Sequence, residues 1–297
     1  MIIYDNKVTF INHDLSDWAK TKRILREGRF DAVIHFAASL IVPESLKDPL
    51  KYYLNNTANS ANLIQQCLEY GVSKFIFSST EAVYGNVEKD NIPVNELAPI
   101  SPINPYGNSK YFIEQILRDT TLAYPHFKHV ILRYFNVAGA SNDGLLGQST
   151  LNATHLIKVA AEVALGKKES MSIFGHDYDT KDGTCIRDYI HIDDLSYAHL
   201  FALSHCETNN SDTFNVGYGK GFSVKEVIEM MKKVSGVDFK VNIEERREGD
   251  PAILIADNQK ILTSFQKSPL SYTQNKLFLY DDLETICKSA LEWEKTL

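Results

Sequence analysis

The sequence predicts an α/β fold, a doubly wound parallel sheet in the first half followed by a smaller α/β region. Three observations carry this. Strand-like and helix-like runs alternate through the first 140 residues, the pattern of a parallel sheet flanked by helices. Asp31–Phe36 is a continuous apolar run, as expected of a strand buried on both faces. Beyond residue 140 the alternation breaks into longer loops, at 140–149 and 175–184, and shorter elements.

Val8–Ile11 reads as a short strand. Asp17–Glu27 reads as a helix stopped by Gly28. After the Asp31–Phe36 strand, Leu50–Tyr70 reads as one long helix ended by Gly71. Phe75–Phe77 is a strand running into Ser78-Ser79-Thr80, Tyr106–Ala123 a helix, and His129–Phe135 a further strand. Leu156, Val159 and Val163 recur at helical spacing and read as core.

Composition bounds the function. The 297 residues hold 31 basic and 38 acidic side chains, a net charge of −7, which argues against a general nucleic-acid binder. The sequence has no apolar run long enough to span a membrane. It opens without a basic leader, and its four cysteines (Cys67, Cys185, Cys206, Cys287) lie far apart. A reduced, cytoplasmic protein is expected, with no metal site. Only 15 residues are glycine, and the first is Gly28.

The chemistry concentrates in Asn104-Pro105-Tyr106-Gly107-Asn108-Ser109-Lys110. Asn104 suits a helix cap and Pro105 the first turn. Tyr106 and Lys110 then share one helical face. An ammonium beside the phenol would favour phenolate and fit tyrosine for acid–base work. Taken alone, a Tyr-x-x-x-Lys pair is a common accident. Here Ser78-Ser79-Thr80 and Arg133-Tyr134-Phe135-Asn136 stand at the carboxyl ends of neighbouring predicted strands, where open α/β sheets bind ligands.

These residues resemble the extended short-chain dehydrogenase/reductase superfamily and, within it, the UDP-glucose 4-epimerases. The resemblance runs through FINHD at 10–14, HFAAS at 35–39, KDPLKYYLNN at 47–56, FIFSST at 75–80, YGNSK at 106–110, LRYFN at 132–136, DGTCIRDYIH at 182–191 and RREGDPA at 246–252. Tyr-x-x-x-Lys specifies only the superfamily; LRYFN, GTCIRDYIH and RREGD together are narrower. The resemblance implies a Rossmann-type NAD-binding domain over 1–140, joined by segments near 183–203 and 246–257, and a UDP-sugar region over 141–297.

It also implies roles. Tyr106 would exchange a proton with the sugar 4-hydroxyl, Lys110 would tune it and hold the nicotinamide ribose, and Thr80 would hydrogen-bond the same hydroxyl. Asp14, Phe36, Ala37, Ala38, Asn55, Ser78 and Phe135 would line the NAD site, with Tyr106 and Lys110. Leu40 replaces a lysine common in relatives, which removes one cofactor diphosphate contact. Asn136, His155 and Phe174 would surround the sugar and uracil, Arg187 and Arg247 would grip the diphosphate, and Asp250 would meet the ribose. A guanidinium fork matches phosphate oxygens in a bidentate way. For Arg187-Asp188 the competing reading is a local salt bridge; Arg246 reads as a surface charge and His191 as structural. The position that gates sugar size is Leu254, small enough to admit an N-acetyl group. A homodimer through Leu50–Tyr70 and Tyr106–Ala123 is implied as well.

Two rival expectations follow. Nucleotide-sugar 4,6-dehydratases carry an Asp-Glu pair after the threonine; Thr80-Glu81-Ala82 supplies one carboxylate, so elimination lacks half its acid–base pair. The resemblance also begins about 44 residues into the family pattern, past the glycine-rich turn that cradles the dinucleotide pyrophosphate. On that count the chain is expected to hold NAD weakly or not at all. Val8–Ile11 is expected either to re-pair with Asp31–Phe36 or to leave an apolar strand edge exposed.

Overall fold

The computed structural model describes residues 8–151, 153–247 and 249–297. In chain order its strands are β1 (Ala32–His35), β2 (Lys74–Ser78), β3 (Lys128–Tyr134), β4 (Asn136–Ala138), β5 (Met171–Phe174), β6 (Ile186–His191), β7 (Asp212–Val216), β8 (Gly221–Ser223), β9 (Val241–Glu244) and β10 (Ile253–Leu254). β1, β2, β3 and β7 form an all-parallel sheet in that order. A second sheet runs β10-β6-β4 with β8 antiparallel on β6, and β5 pairs with β9.

The two-residue strand period explains why the first sheet is apolar throughout. Ile76, Val130 and Leu132 face the Ile192–Thr208 helix and pack with Ala198, Phe201 and Ala202. Phe75, Phe77 and Ile131 face the other way, against Leu63, Ile64, Ile113 and Leu117. Both faces are covered, so alternate positions are equally hydrophobic. The same core continues into the second half, where the helices Leu156–Ala164, Val224–Ser235 and Leu283–Glu294 pack together. There the ammonium of buried Lys158 pairs with Glu294. The cysteines are buried and unpaired.

Three expectations are corrected. Val8–Ile11 forms no strand and lies exposed. β1 is shorter than Asp31–Phe36 and is not buried on both faces: within its sheet it pairs with β2 alone, and Ile34 and Phe36 are exposed. Of the two outcomes foreseen for that edge, the structure has the exposed one. Leu50–Tyr70 is not one α-helix; Pro49–Tyr52 passes through a π-helical segment, Tyr53–Ala58, into Asn59–Glu69. A widened turn of this kind re-aims side chains. Here it buries Asn56, which accepts from the Ser39 N–H (2.7 Å) and donates to the Ser39 carbonyl (3.1 Å) and the Ser109 hydroxyl (3.0 Å).

Candidate active site

The site is built where β2 ends. Ser78, Ser79 and Thr80 are all buried there. Thr80 is extended and opens a 3-10 turn, Glu81–Val83; its Oγ1 accepts from the Ala82 N–H (3.1 Å) and donates to Glu81 Oε2 (3.0 Å). The Pro105–Ala123 helix starts against this turn, capped by Asn104, whose side chain accepts from the Gly107 N–H (2.8 Å). A Cβ on Gly107 would come within 2.8 Å of the Ala82 carbonyl oxygen. Only glycine lets the helix lie this close, and the closeness sets Tyr106 beside Thr80.

Beneath the site lies a buried charge network. Ser79 Oγ donates to Glu114 Oε1 (2.6 Å), and Arg133 reaches the same carboxylate twice, Nε to Oε1 at 2.9 Å and Nη2 to Oε2 at 2.6 Å. Arg133 also donates to the Tyr84 hydroxyl (3.0 Å), which donates to Asn215 (2.6 Å). Burial works against the Glu114 carboxylate, but Arg133, Ser79 and Arg118 outweigh it and hold its pKa down. The strand end carrying Thr80 is thus tied to β3, to β7 and to the helix carrying Tyr106.

The electrostatics reverse one expectation. Tyr106 is not shifted toward phenolate. Burial raises its pKa, Tyr134, Glu81 and Tyr52 add to the rise, and the Thr80 hydrogen bond opposes it. The Lys110 ammonium turns instead to the Ser78 carbonyl (2.8 Å) and lies over the Phe77 ring. Burial presses its pKa down to about 7, so much of the charge meant to favour phenolate is itself suppressed. Glu81 is raised by burial, with Thr80 and Arg187 opposing and Asp250 adding. Tyr106 and Glu81 keep part of their surface open to the cleft while protein walls their other sides.

Arg187, on β6, lies 3.7 Å from Asp250. Asp188 does not pair with it; buried, it accepts from the backbone N–H groups of Tyr218, Gly219 and Ala256, and burial raises its pKa to about 7. The Arg247 guanidinium stacks 3.7 Å from the Phe174 ring centroid. Arg246 is exposed but engaged, pairing with Asp177 (2.7 Å) and lying over Tyr178. Asn136 and His155 line one cavity of about 60 Å³ with Tyr189 and Trp293. The Asn136 Nδ2 there is buried with no partner among the described residues.

The structure therefore gathers Tyr106, Thr80, Lys110 and Ser78 at one strand end, with Arg187 and Asp250 within electrostatic reach through Glu81. Phe135 is buried beside Tyr84 and Leu254. Phe36 and Ala37 stand exposed past the end of β1, with Ala38 half-buried, and Asn55 donates to the Ser39 hydroxyl (3.0 Å). Asp14 is exposed and accepts from the Ser16 N–H of its own turn (2.8 Å). His191 caps the Ile192–Thr208 helix, a structural role. The residues that sequence reasoning passed over are Asn56, Glu114 and Tyr52. The second asparagine of Leu54-Asn55-Asn56 was the available signal for the first; the others resembled ordinary helix residues.

The family model described as "NAD dependent epimerase/dehydratase family" matches residues 3–217. A UDP-glucose 4-epimerase of Azospirillum brasilense is 47% identical over 291 residues, 98% of this chain and 80% of that protein. The structure of a UDP-Glc/GlcNAc 4-epimerase from Campylobacter jejuni is 57% identical and superposes with a TM-score of 0.81 over 98% of this chain and 85% of its own. A UDP-glucose 4-epimerase of Bifidobacterium longum, solved with NAD+ and UDP, is 36% identical with a TM-score of 0.88, covering 96% and 82%. The chain belongs to the NAD dependent epimerase/dehydratase family, and the relatives it resembles there are 4-epimerases of UDP-sugars.

Proposed function

We propose that the chain interconverts UDP-glucose and UDP-galactose by inverting C4 through a transient 4-keto sugar. The observation that carries this is the convergence of Thr80 and Tyr106 at the end of β2, with Arg187 across the cleft on β6. A pair of hydroxyls suits proton exchange at a sugar C4 group, and a guanidinium suits a diphosphate. Relatives named for this reaction support the reading.

NAD, when bound, supplies a hydride acceptor at C4 and returns the hydride to the other face. The residues present fit its nicotinamide side. Lys110 spends one of three donors on Ser78, leaving two for ribose hydroxyls, and the exposed Phe36 and Ala37 leave the end of β1 open. Asn55, Ser78 and Phe135 complete that lining. Among the described residues no glycine-rich turn opens a helix beside β1. The first sheet is read as the cofactor lobe and the remainder as the UDP-sugar lobe. There Arg187 and Arg247 hold the diphosphate, Asp250 the ribose, and Asn136, His155 and Phe174 the sugar and uracil. A homodimer is proposed through the helices at 49–69 and 105–123, which leave Leu50, Leu54, Phe112 and Leu122 exposed.

Incubation with UDP-glucose and added NAD tests the reaction. UDP-galactose is the expected product; a 4-keto-6-deoxy sugar would overturn the reading. A second specificity is favoured by Leu254, which has no bulky ring and is buried with Val83, Tyr84 and Phe135. UDP-N-acetylglucosamine is expected to be turned over as well, and its complete rejection would remove that part.

A further inference from the structure

Two consecutive arginines follow β9, and the reaction as proposed uses only Arg247. Arg246 looks in sequence like a surface charge, yet it is clasped by protein on three sides. We propose that Arg246 is a positioning residue: with Asp177 and Tyr178 it forms a latch on the β9–β10 connection, and so sets Arg247 and Asp250 for a nucleoside diphosphate. This rests on the UDP-sugar reading above.

The connection is fixed at its two ends by sheet register. β9 runs parallel to β5 with Phe174 beside Glu244, and the Gly175 N–H donates to the Glu244 carbonyl (2.9 Å). β10 runs parallel to β6 with Leu254 beside Arg187. Just before β10, Asp250 lies 3.7 Å from Arg187. Between these ends the described residues of 245–251 belong to no strand, so side chains must hold them.

Arg246 supplies the hold. Its Nε donates to Asp177 Oδ1 (2.7 Å) and its Nη2 to the Asp177 carbonyl (2.6 Å), so the guanidinium grips one residue by side chain and backbone. The guanidinium also lies 4.2 Å from the Tyr178 ring centroid. Gly175, at φ +82°, makes the fit possible: a Cβ there would come within 2.4 Å of Tyr178 Cε2 and 2.8 Å of Arg246 Cγ. The post is itself firm. Tyr178 is buried, its N–H donates to the Gly183 carbonyl (3.0 Å), and the Thr180 hydroxyl donates to the Thr184 carbonyl (2.8 Å).

Arg247 inherits this placement. It stacks 3.7 Å from the centroid of Phe174, at the other end of the Phe174–Tyr178 turn. Stacking uses the flat face of a guanidinium and leaves its in-plane N–H donors for an anion. Neighbouring Cα atoms are about 3.8 Å apart, so Arg247 cannot keep its station over Phe174 once Arg246 is loose. An exposed ion pair adds little to stability; the value of this one lies in where it puts the next residue.

The test uses the full chain and the variants Arg246→Ala, Arg246→Lys, Asp177→Ala and the Arg246→Ala/Asp177→Ala double. UDP is titrated by calorimetry, which needs no turnover, and UDP-glucose kinetics are run with NAD added. Arg246→Ala is expected to weaken UDP binding roughly tenfold, the sum of a modest ion pair and a cation–π contact. The same factor should appear in KM for UDP-glucose, with kcat and the unfolding midpoint close to wild type. Arg246→Lys keeps the charge but loses the fork, and should behave as the alanine variant does. Asp177→Ala should also weaken UDP binding, and the double should cost no more than Arg246→Ala alone.

Tighter UDP binding in Asp177→Ala, or full rescue by lysine, would make Arg246 a charge acting on the diphosphate directly and overturn the latch. Unchanged UDP affinity in Arg246→Ala returns it to a surface charge even if the chain epimerises. Weakened UDP binding across the set, in a chain that forms no UDP-galactose, establishes the latch and retires the epimerase reading. A wild-type chain that binds no UDP removes both.

Discussion

The ends of β2 and β1 are adjacent in one sheet and are built on opposite principles. At the end of β2 almost every polar group is spoken for. Ser79 is fixed by Glu114, Glu114 by two arginines, Arg133 by Tyr84, and Thr80 by its own turn. At the end of β1 the side chains stand open: Phe36 is 55% exposed, and the preceding Val8–Ile11 segment forms no strand. The first end, on the reading proposed above, is where protons are exchanged with the sugar. The second, on the same reading, is left open for the cofactor to cover. Fixed polar groups are concentrated at the β2 end and spared at the β1 end.

The largest effect expected on this contrast is in stability. Glu114→Ala removes a fully buried carboxylate and strands Arg133, itself 2% exposed. Breaking a buried pair by removing one partner costs about 3–5 kcal/mol. Denaturant unfolding should show the loss, and a cost near that of a surface substitution would mean that the network does not hold the β2 end. Tyr106→Phe is the complementary change. It should lower kcat on the order of 10³-fold while leaving the unfolding midpoint close to wild type, since only the hydroxyl is lost.

The reading of these two ends from sequence alone was unequal for a physical reason. Tyr106, Lys110 and Thr80 announce themselves because their spacing and position at strand ends are local facts. The succession of β1, β2 and β3 along the chain was visible too, as alternating apolar strands and helices. Glu114 was not singled out and Arg133 was noticed only as part of the strand-end run 133–136, because a charged pair buried by mutual contact looks in sequence like two surface charges. Tyr84 meets Asn215 across 131 positions. The π-helical turn at Tyr53–Ala58 was invisible because nothing in Leu50–Tyr70 breaks helical periodicity; it takes Ser39 and Ser109 to hold Asn56 inward. The protonation of Tyr106 was misjudged because spacing reports that two groups can meet, not that burial disarms one of them.

That point gives a pH prediction. Lys110 titrates near 7 in the folded chain and near the ordinary lysine value, about 10.4, when unfolded. Between those limits the unfolded state binds more protons, so this lysine's contribution to stability rises with pH across that window. It is lost as pH falls through about 7. Asp188, raised to about 7, contributes the opposite slope at lower pH, so the isolating measurement is a difference. Stability of wild type minus Lys110→Met, followed by denaturant titration from neutral to alkaline pH, should rise. A flat difference would mean that Lys110 stays charged, and that the suppressed-charge account of Tyr106 fails with it.

The smallest expected effect tests the β1 end directly. Phe36 touches His199 at a ring separation of 4.7 Å and otherwise faces outward. Phe36→Ser should therefore shift stability by no more than about 0.5 kcal/mol, as surface changes do. If the ring is there for coverage, the change should appear in the affinity for NAD. Partial covering of an aromatic ring contributes about 1 kcal/mol, so NAD should bind roughly fivefold more weakly, read by fluorescence or calorimetric titration. Loss of stability without loss of affinity would invert the comparison, making the β1 end a structural edge rather than a ligand surface. Loss of neither would leave Phe36 with no part in the NAD lining. Loss of affinity alone would place the cofactor on the open edge, beside a catalytic end that is already closed.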